Sequence, residues 1–375
     1  MMATAERATR PHRDVAERPV TDGTIALANL EAQIDGLQWD REPDCRSTEE
    51  SIALVDLLIL RGLILGRIAD YGRAEEIAEQ LVHETSNNGA AFLARARVRA
   101  VFHRFTDALN DLAVAERLSL GAGGVNGERA AILQALGRYD EAHVIREEAA
   151  ERRTDFETTA ALAGLCADRG QIEAARRLHA EARWRYCGVS PFPLALLEFQ
   201  LGHMWMHCGQ WDEACNSLGA ALRLVPAYAP ALGHLAEVEA GIGNVEMAIA
   251  RLYPLTRASD DPDYVAQLAR ILCDAGRTNE SGHWRKLAAS RYDELVAVHP
   301  EAFADHAAEF WLGVGADPNK ALRLAGINLE ARKTSRAYDL LSRAFAANEV
   351  TGAACSSTLP KALERSRRRR DVTIN

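Results

Sequence analysis

Lysine is nearly missing from this chain. Of its 44 basic side chains only Lys286, Lys320, Lys333 and Lys361 are lysine, a bias we read as genomic base composition before function. None of the four follows a glycine, so there is no GK[ST] loop to cradle phosphates. HExxH is missing too, because His83-Glu84 is followed by Asn87 where a second zinc ligand would stand. No GxSxG nucleophile elbow occurs. The seven cysteines form no CxxC pair and are odd in number, which reads as reduced, mostly buried thiols. Long hydrophobic runs are lacking. The most apolar stretch, 52–68, contains Asp56, Arg61 and Arg67 and is poor material for a membrane span. The first residues, MMATAERATRPHRD, hold no apolar segment of a secretory signal, so the chain is expected to be soluble and cytoplasmic, with no membrane partner. A net charge of −9 argues against a nucleic-acid binder held by phosphates. No segment alternates with period two between hairpin turns, so strands are not expected.

What is present is a repeat. With 375 residues, 48% hydrophobic and 26% charged, the chain is too long for one core and too apolar for bulk disorder. Gly137, Gly170, Gly209, Gly243, Gly276 and Gly315 follow one another at intervals of 33, 39, 34, 33 and 39. Extended backwards, the series places its turn residues at His103 and Gly72. Seven residues before each turn is a small residue: Ala96, Ala130, Ala163, Gly202, Ala236, Ala269 and Ala308. Five residues after comes another: Ala108, Ala142, Ala175, Ala214, Ala248 and Ser281. Two small positions flanking a turn are what two antiparallel helices require where they cross closely. In 194–208 the apolar residues keep helical spacing, and Gly209 supplies a left-handed C-cap. GQWDEA then makes the turn, and the spacing resumes until Pro226 stops it.

This unit resembles the tetratricopeptide repeat, whose signature is W-x2-L-G-x2-Y, then A-x3-F, then P. The best unit reads Glu198-x2-Leu201-Gly202-x2-Trp205, Ala214-x3-Leu218 and Pro226, departing from the signature at its first position and at Leu218. In the next unit Glu239 stands where the aromatic belongs. The resemblance is strong over about 89–320 and degenerate over 50–88 and 321–366. It implies an all-α, right-handed superhelical solenoid of about eight or nine helix-turn-helix repeats.

A second regularity has an offset of 106. Arg185-Tyr186 and Trp205 recur as Arg291-Tyr292 and Trp311, and both 39-residue intervals fall in matching places. Duplication of a three-repeat block and two equally spaced insertions both account for it. The extra residues of the second copy, SRYDELVAV, look helical; those of the first end in GVSPFP, a loop by composition. We divide the chain into an N-terminal extension (1–47), the repeat array (48–366) and a disordered tail (367–375). Within the extension 1–22 reads as disordered and 24–37 as one short amphipathic helix. The charge run RSRRRR at 365–370 either frays in solvent or touches acidic surfaces or nucleic acid.

Few clusters carry chemistry, and none points to an enzyme or a cofactor. His203 and His207 share one helical face beside Met206 and Cys208, a spacing that suits a soft metal only if further ligands come from a neighbouring repeat. His299, Glu301, Asp305, His306 and Glu309 read as a solvated helix face. Asp260, Asp261 and Asp263 read as a capped turn, because the closing Glu of a calcium loop is absent. The glycine-rich 121–127 follows a helix, not a strand, and reads as a flexible connector.

The family resemblance implies a concave groove lined by the first helix of each pair. On this chain those positions are Phe199, His203, Met206, His207, Glu237, Arg270 and Asp274, with Cys273 and Asp168 alongside. The expected function is a non-catalytic scaffold that holds a protein or peptide there. The family's clamp for a C-terminal carboxylate uses Lys and Asn, whereas the matching positions here are Ala160, Phe199, Gly233 and Ala266, then Gly164, His203 and Glu237. The alternatives are a nucleic-acid-binding array, for which Arg95, Arg97, Arg99 and Arg104 give a foothold, and metal handling through His203, Met206, His207 and Cys208. If the small positions are helix crossings, Ala214→Leu overpacks one and costs about 1–3 kcal/mol. An unchanged urea midpoint would show the phase of the repeat to be misassigned.

Overall fold

A computed structural model describes residues 19–38 and 46–350. Among them are eighteen α-helices and no strand. Helix α1 (Gly23–Gln38) precedes the array. Eight antiparallel pairs follow: α2 (Thr48–Leu65) with α3 (Ile68–Glu84), α4 (Gly89–Val101) with α5 (Phe105–Ala115), and α6 (Gly121–Ala135) with α7 (Tyr139–Arg152). Next come α8 (Phe156–Asp168) with α9 (Ile172–Arg185), α10 (Phe192–His207) with α11 (Trp211–Leu224), and α12 (Ala229–Gly241) with α13 (Val245–Ala258). The last pairs are α14 (Pro262–Asp274) with α15 (Thr278–Val298) and α16 (Pro300–Leu312) with α17 (Pro318–Ala331), after which α18 (Ser335–Val350) ends the described array. The expected all-α, right-handed superhelical solenoid is the observed fold.

Local chemistry sets the ends of these helices. Ser47 and Glu50 form a capping box at α2, Asp155 and Thr158 another at α8, and Asn88, Asp261 and Asp317 cap α4, α14 and α17. The small residues on both sides of each turn are buried, most of them completely. At Gly202 a methyl group would come within 2.8 Å of Leu218 Cγ, so α10 and α11 touch where only hydrogen fits. Ser281, the polar member of the series, donates its hydroxyl to the Ala269 carbonyl at 2.7 Å. Glu239, in the aromatic's place, is buried and paired with Arg251 at 2.5 Å.

Several expectations are corrected. The first left-handed turn lies at Gly66 (φ 62°), not at Gly72, which is inside α3. The last lies at Ala316 (φ 55°), not at Gly315. His103 does take the left-handed place (φ 54°). The stretch 121–127 is no flexible connector. It opens α6 after a π-helical turn over Glu116–Leu120, and fully buried Val125 ties it to the core around Phe105 and Leu112. Order begins before residue 23: the Thr21 N–H donates to the Val189 carbonyl at 2.8 Å, and Val20 packs near Tyr186 and Leu197. The extra residues of the 39-residue intervals differ as expected, since α15 runs on to Val298 whereas α9 stops at Arg185. Residues 1–18, 39–45 and the tail 351–375, with RSRRRR, lie outside the described residues.

The superhelix lands on itself. Helix α2 touches α12, five pairs further on. At the turn after α2, Ser259 donates to the Gly66 carbonyl, and Asp260 accepts from the Ile68 N–H (2.6 Å) and the Ala69 N–H (2.9 Å). One turn later Phe102 stacks on His299 with ring centroids 3.8 Å apart, and His103 Nδ1 lies 3.1 Å from the Glu301 carbonyl oxygen. Gly137 then approaches Lys333 and Thr334. Helix α1 closes the same seam, burying Ala26, Leu30 and Ile34 in a core that also contains Leu54, Leu58, Ala221 and Val225. Asp260 thus caps the N-terminus of α3 from 192 residues away. Asp260→Ala should cost about 1–2 kcal/mol, the value of a lost N-cap, with helicity retained at 20 °C. An unaltered urea midpoint would remove the cap from the list of contacts that close the seam.

Candidate functional site

Closure of the superhelix turns the concave groove into a channel. One cavity of about 620 Å³ is lined by His203, Met206, His207, Glu237, Arg270 and Asp274, together with His234, Trp211 and Arg336. A neighbouring cavity, also about 620 Å³, shares His203, His207 and Arg336 and is lined further by Phe199, Asp168, Asp305, Glu309 and Arg332. Six of the seven residues singled out in the sequence therefore surround one cavity, and Phe199 stands in the next. Cys273 lines neither.

Helix α10 supplies the centre. Its residues 199, 203 and 207 recur at helical spacing, so Phe199, His203 and His207 stand in one row. His203 Nε2 and His207 Nε2 are 3.2 Å apart with perpendicular rings, so one nitrogen donates and the other accepts. Phe199 leans toward the helix interface, 5.4 Å from the Tyr228 ring, and Met206 packs partly on the same core. These two side chains are therefore half structural. His234 was missed by sequence reasoning; it lies one residue off the groove stripe, 5.3 Å from His203 and 3.5 Å from Glu237 Oε2. Arg336 was missed because it comes from α18, across the seam. Among the described residues no carboxylate lies within ion-pair distance of it.

Burial, and then the charges of His234, His207 and Arg336, push His203 down to about 3. Burial and Arg336 also lower His207. Both imidazoles are neutral at pH 7. Glu237 is held down by its hydrogen bond to His234 and by Arg270, whose Nη2 is 3.5 Å away, so it is ionised. The lining thus combines neutral donors and acceptors with charges of both signs. Among the described residues no group of three or more His, Cys, Asp or Glu side chains is arranged to hold a metal ion, and Cys208 caps the end of α10 instead of joining His203.

The polar group of α16 is only in part a solvated face: His306 is exposed, but Asp305 is buried and each of the two has a partner on another element. His306 Nδ1 lies 2.6 Å from Asp263 Oδ2, and Asp263 also accepts from the Tyr292 hydroxyl. Asp305 is buried against Arg332, whose Nε donates to Asn328 at 2.9 Å. His299 is committed to Phe102, and Glu309 pairs with Arg343. Asp263 and Asp305 hold His306 protonated, raising it to about 10. These partners come from four other elements, which one helix's sequence cannot announce. The four N-terminal arginines are likewise committed: Arg95 and Arg99 to Asp111 and Glu79, Arg97 to Asp56 and Glu128, and Arg104 to Glu75. Their foothold for nucleic acid is spent on carboxylates.

The neutral histidines set an acid dependence. His203 falls to about 3, while burial takes His103 and His179 to about 4, all below the unfolded value of about 6.5. On acidification the unfolded chain binds these protons first. Stability is therefore full above about pH 6.5 and falls as pH drops toward 4. The melting temperature should decline between pH 7 and pH 5, and His203→Gln should make that decline shallower. An identical slope in the variant would assign the acid loss to other groups.

No protein-family model matches the sequence, and no curated protein matches it. The fold is similar to that of an IFIT1 monomeric mutant with Gppp-AAAA, 15% identical, covering 85% of this chain and 76% of that one at a TM-score of 0.53. It is similar as well to a human IFIT1 dimer with PPP-AAAA, 16% identical, covering 85% and 77% at a TM-score of 0.50. A tetratricopeptide repeat protein from Parabacteroides merdae is 12% identical over 68% of this chain and 98% of its own, at a TM-score of 0.41. Likeness at these identities is likeness of fold. Phased helix pairs with small residues at their crossings give this chain a tetratricopeptide-repeat-like solenoid fold.

Proposed function

We propose that this protein is a non-catalytic interaction scaffold whose channel holds a peptide segment of a protein partner. The observation that carries the reading is the convergence of His203, Met206, His207, Glu237, Arg270 and Asp274 on one cavity. Neutral imidazoles, a thioether and both signs of charge match the mixed chemistry of a peptide: amide groups, apolar side chains and ionic ends. Met and aromatic side chains give adaptable apolar contact, and such anchors carry most of the energy at interfaces. The thiols of Cys166, Cys208, Cys215 and Cys273 are unbridged, in accord with a reducing cytoplasmic setting, although of these only Cys166 is buried, against the expectation of mostly buried thiols. Among the described residues no helix is long and apolar enough to cross a membrane.

The IFIT1 structures contain m7Gppp-AAAA, Gppp-AAAA or PPP-AAAA. In this chain Asp168, Glu237, Asp274, Asp305 and Glu309 share the channel wall with Arg270, Arg332 and Arg336. Arg270 and Arg332 already face carboxylates, so a polyanion meets net repulsion there. Partner capture followed by affinity measurement tests the reading. Phe199→Ala combined with His203→Ala should weaken the captured partner by about 2 kcal/mol or more, with unchanged helical circular dichroism. Undiminished capture, or capture of RNA that weakens steeply with salt, would overturn it.

A further inference from the structure

A third cavity, of about 470 Å³, has a different character. Its wall is formed by the C-terminal half of α2, the first turns of α8 and the first turns of α10, and is mostly aliphatic and aromatic: Leu60, Leu63, Phe156, Phe192 and Leu196 among others. The polar side chains in it are Arg146, Glu157, Ser190 and Gln200. Arg146 reaches it from α7. Its Nε–H is buried and meets no acceptor, and among the described residues no carboxylate lies within ion-pair distance of its guanidinium. Glu157, on the same wall, does not pair with it.

We propose that this groove binds a single-chain aliphatic carboxylate, its acyl chain on Leu63, Phe156, Phe192 and Leu196 and its carboxylate on Arg146. A cation in an apolar wall without a counter-charge is unstable unless something anionic completes it. Burial indeed lowers the guanidinium's proton affinity, opposed by the charge of Asp168, which forms no ion pair with it. A carboxylate can accept N–H bonds from the terminal nitrogens of an arginine, which supplies the missing charge, while the enclosed Nε–H stays outside that pair. The rest of the occupant must be apolar and need few hydrogen bonds, because the wall offers few. A buried peptide would leave most of its amides without partners, whereas an acyl chain has none to satisfy. The volume lies within the ~300–1,000 Å³ that small-molecule sites use. Val20 packs against the same cluster around Tyr186 and Leu197 as Phe156 and Ala160 do, so the described chain starts close to this groove. The segment before it, MMATAERATRPHRDVAER, is mostly polar and matches the wall poorly.

Titration calorimetry of the full chain with decanoate and with 1-decanol, both below their aggregation limits, tests the assignment. Decanoate should bind saturably, one per chain, and Arg146→Gln should weaken it at least tenfold while changing 1-decanol less than twofold. Filling the groove with Ala161→Trp, or with Leu63→Trp should the first variant lose its helical circular dichroism, should abolish binding of both. The proposal is overturned by absence of saturable decanoate binding, by binding indifferent to Arg146→Gln, or by equal loss of both ligands in that variant. Decanoate binding that appears only after removal of residues 1–18 would also overturn it, assigning the groove to the chain's own terminus.

Discussion

The cavities of this molecule depend on the seam where the superhelix meets itself. A helix-pair solenoid that contacted only its neighbours would present an open groove. Here Gly66 backs against Ser259 and Tyr264, Phe102 stacks on His299, and Gly137 approaches Thr334, so the groove becomes a channel. The first of these contacts needs a residue with no side chain. Gly66 is left-handed, and a methyl group there would come within 2.8 Å of the Tyr264 ring. The seam also brings α18 across, and with it Arg336, beside histidines that a linear reading places some 130 residues earlier. His203 is lowered by burial and by neighbouring His234 and His207, and closure adds Arg336 to them. With it, burial and a facing cation keep the ring neutral.

The preference for arginine acquires a structural use at the same joints. Arg61 grips Asp70 through two nitrogens, at 2.8 and 2.6 Å, tying α2 to α3. Arg95 and Arg99 converge on buried Asp111, and Arg251 takes Glu239 in the same two-pronged way. A planar guanidinium satisfies both oxygens of a half-buried carboxylate, which an ammonium cannot do. Each pair ties one helix to its neighbour at a depth where an unpaired carboxylate would destabilise the fold. Arginines without such a partner are then informative by position. Arg336 and Arg146 both stand in cavity walls.

Much of the architecture was legible in the sequence, because helix crossings demand small residues at fixed distance from a turn. Ala96, Ala130, Ala163 and their partners kept that phase throughout, and the groove stripe on α10 followed from it. The reading slipped where the signal weakened. Gly72 stood in phase, yet the chain turns at Gly66, since Tyr264, nearly 200 residues away, leaves room for nothing larger at that point. Gly315 stood in phase, yet the left-handed residue is Ala316. The α16 group looked wholly solvated, although Asp305 is buried, because its partners Asp263, Arg332 and Phe102 belong to other elements. Asp260 was read correctly as a capping residue for a turn, but the helix it caps is α3. A pattern reports local packing, and the seam is not local. His234 was the one lining residue within reach, since its i,i+3 spacing to Glu237 is visible in the sequence.

Helix α10 shows why cavity-lining side chains concentrate where they do. Nearly every face of FPLALLEFQLGHMWMH is apolar, as befits a helix enclosed by other elements. Gly202 meets α11, Phe199 meets Tyr228 at the start of α12, and Phe192 and Ala195 share a core with Leu54 and Leu58 of α2. A row along the channel, Leu196, Gln200, His203 and His207, faces the cavities, flanked by Phe199 and Met206. Leu196 and Gln200 line the apolar groove, Gln200 continues into the first 620 Å³ cavity, and His203 and His207 lie between that cavity and the second. Three chemically different cavities therefore share one rigid wall. A ligand that shifts α10 in any of them must move its packing against α11 and α12, where Gly202 leaves no slack.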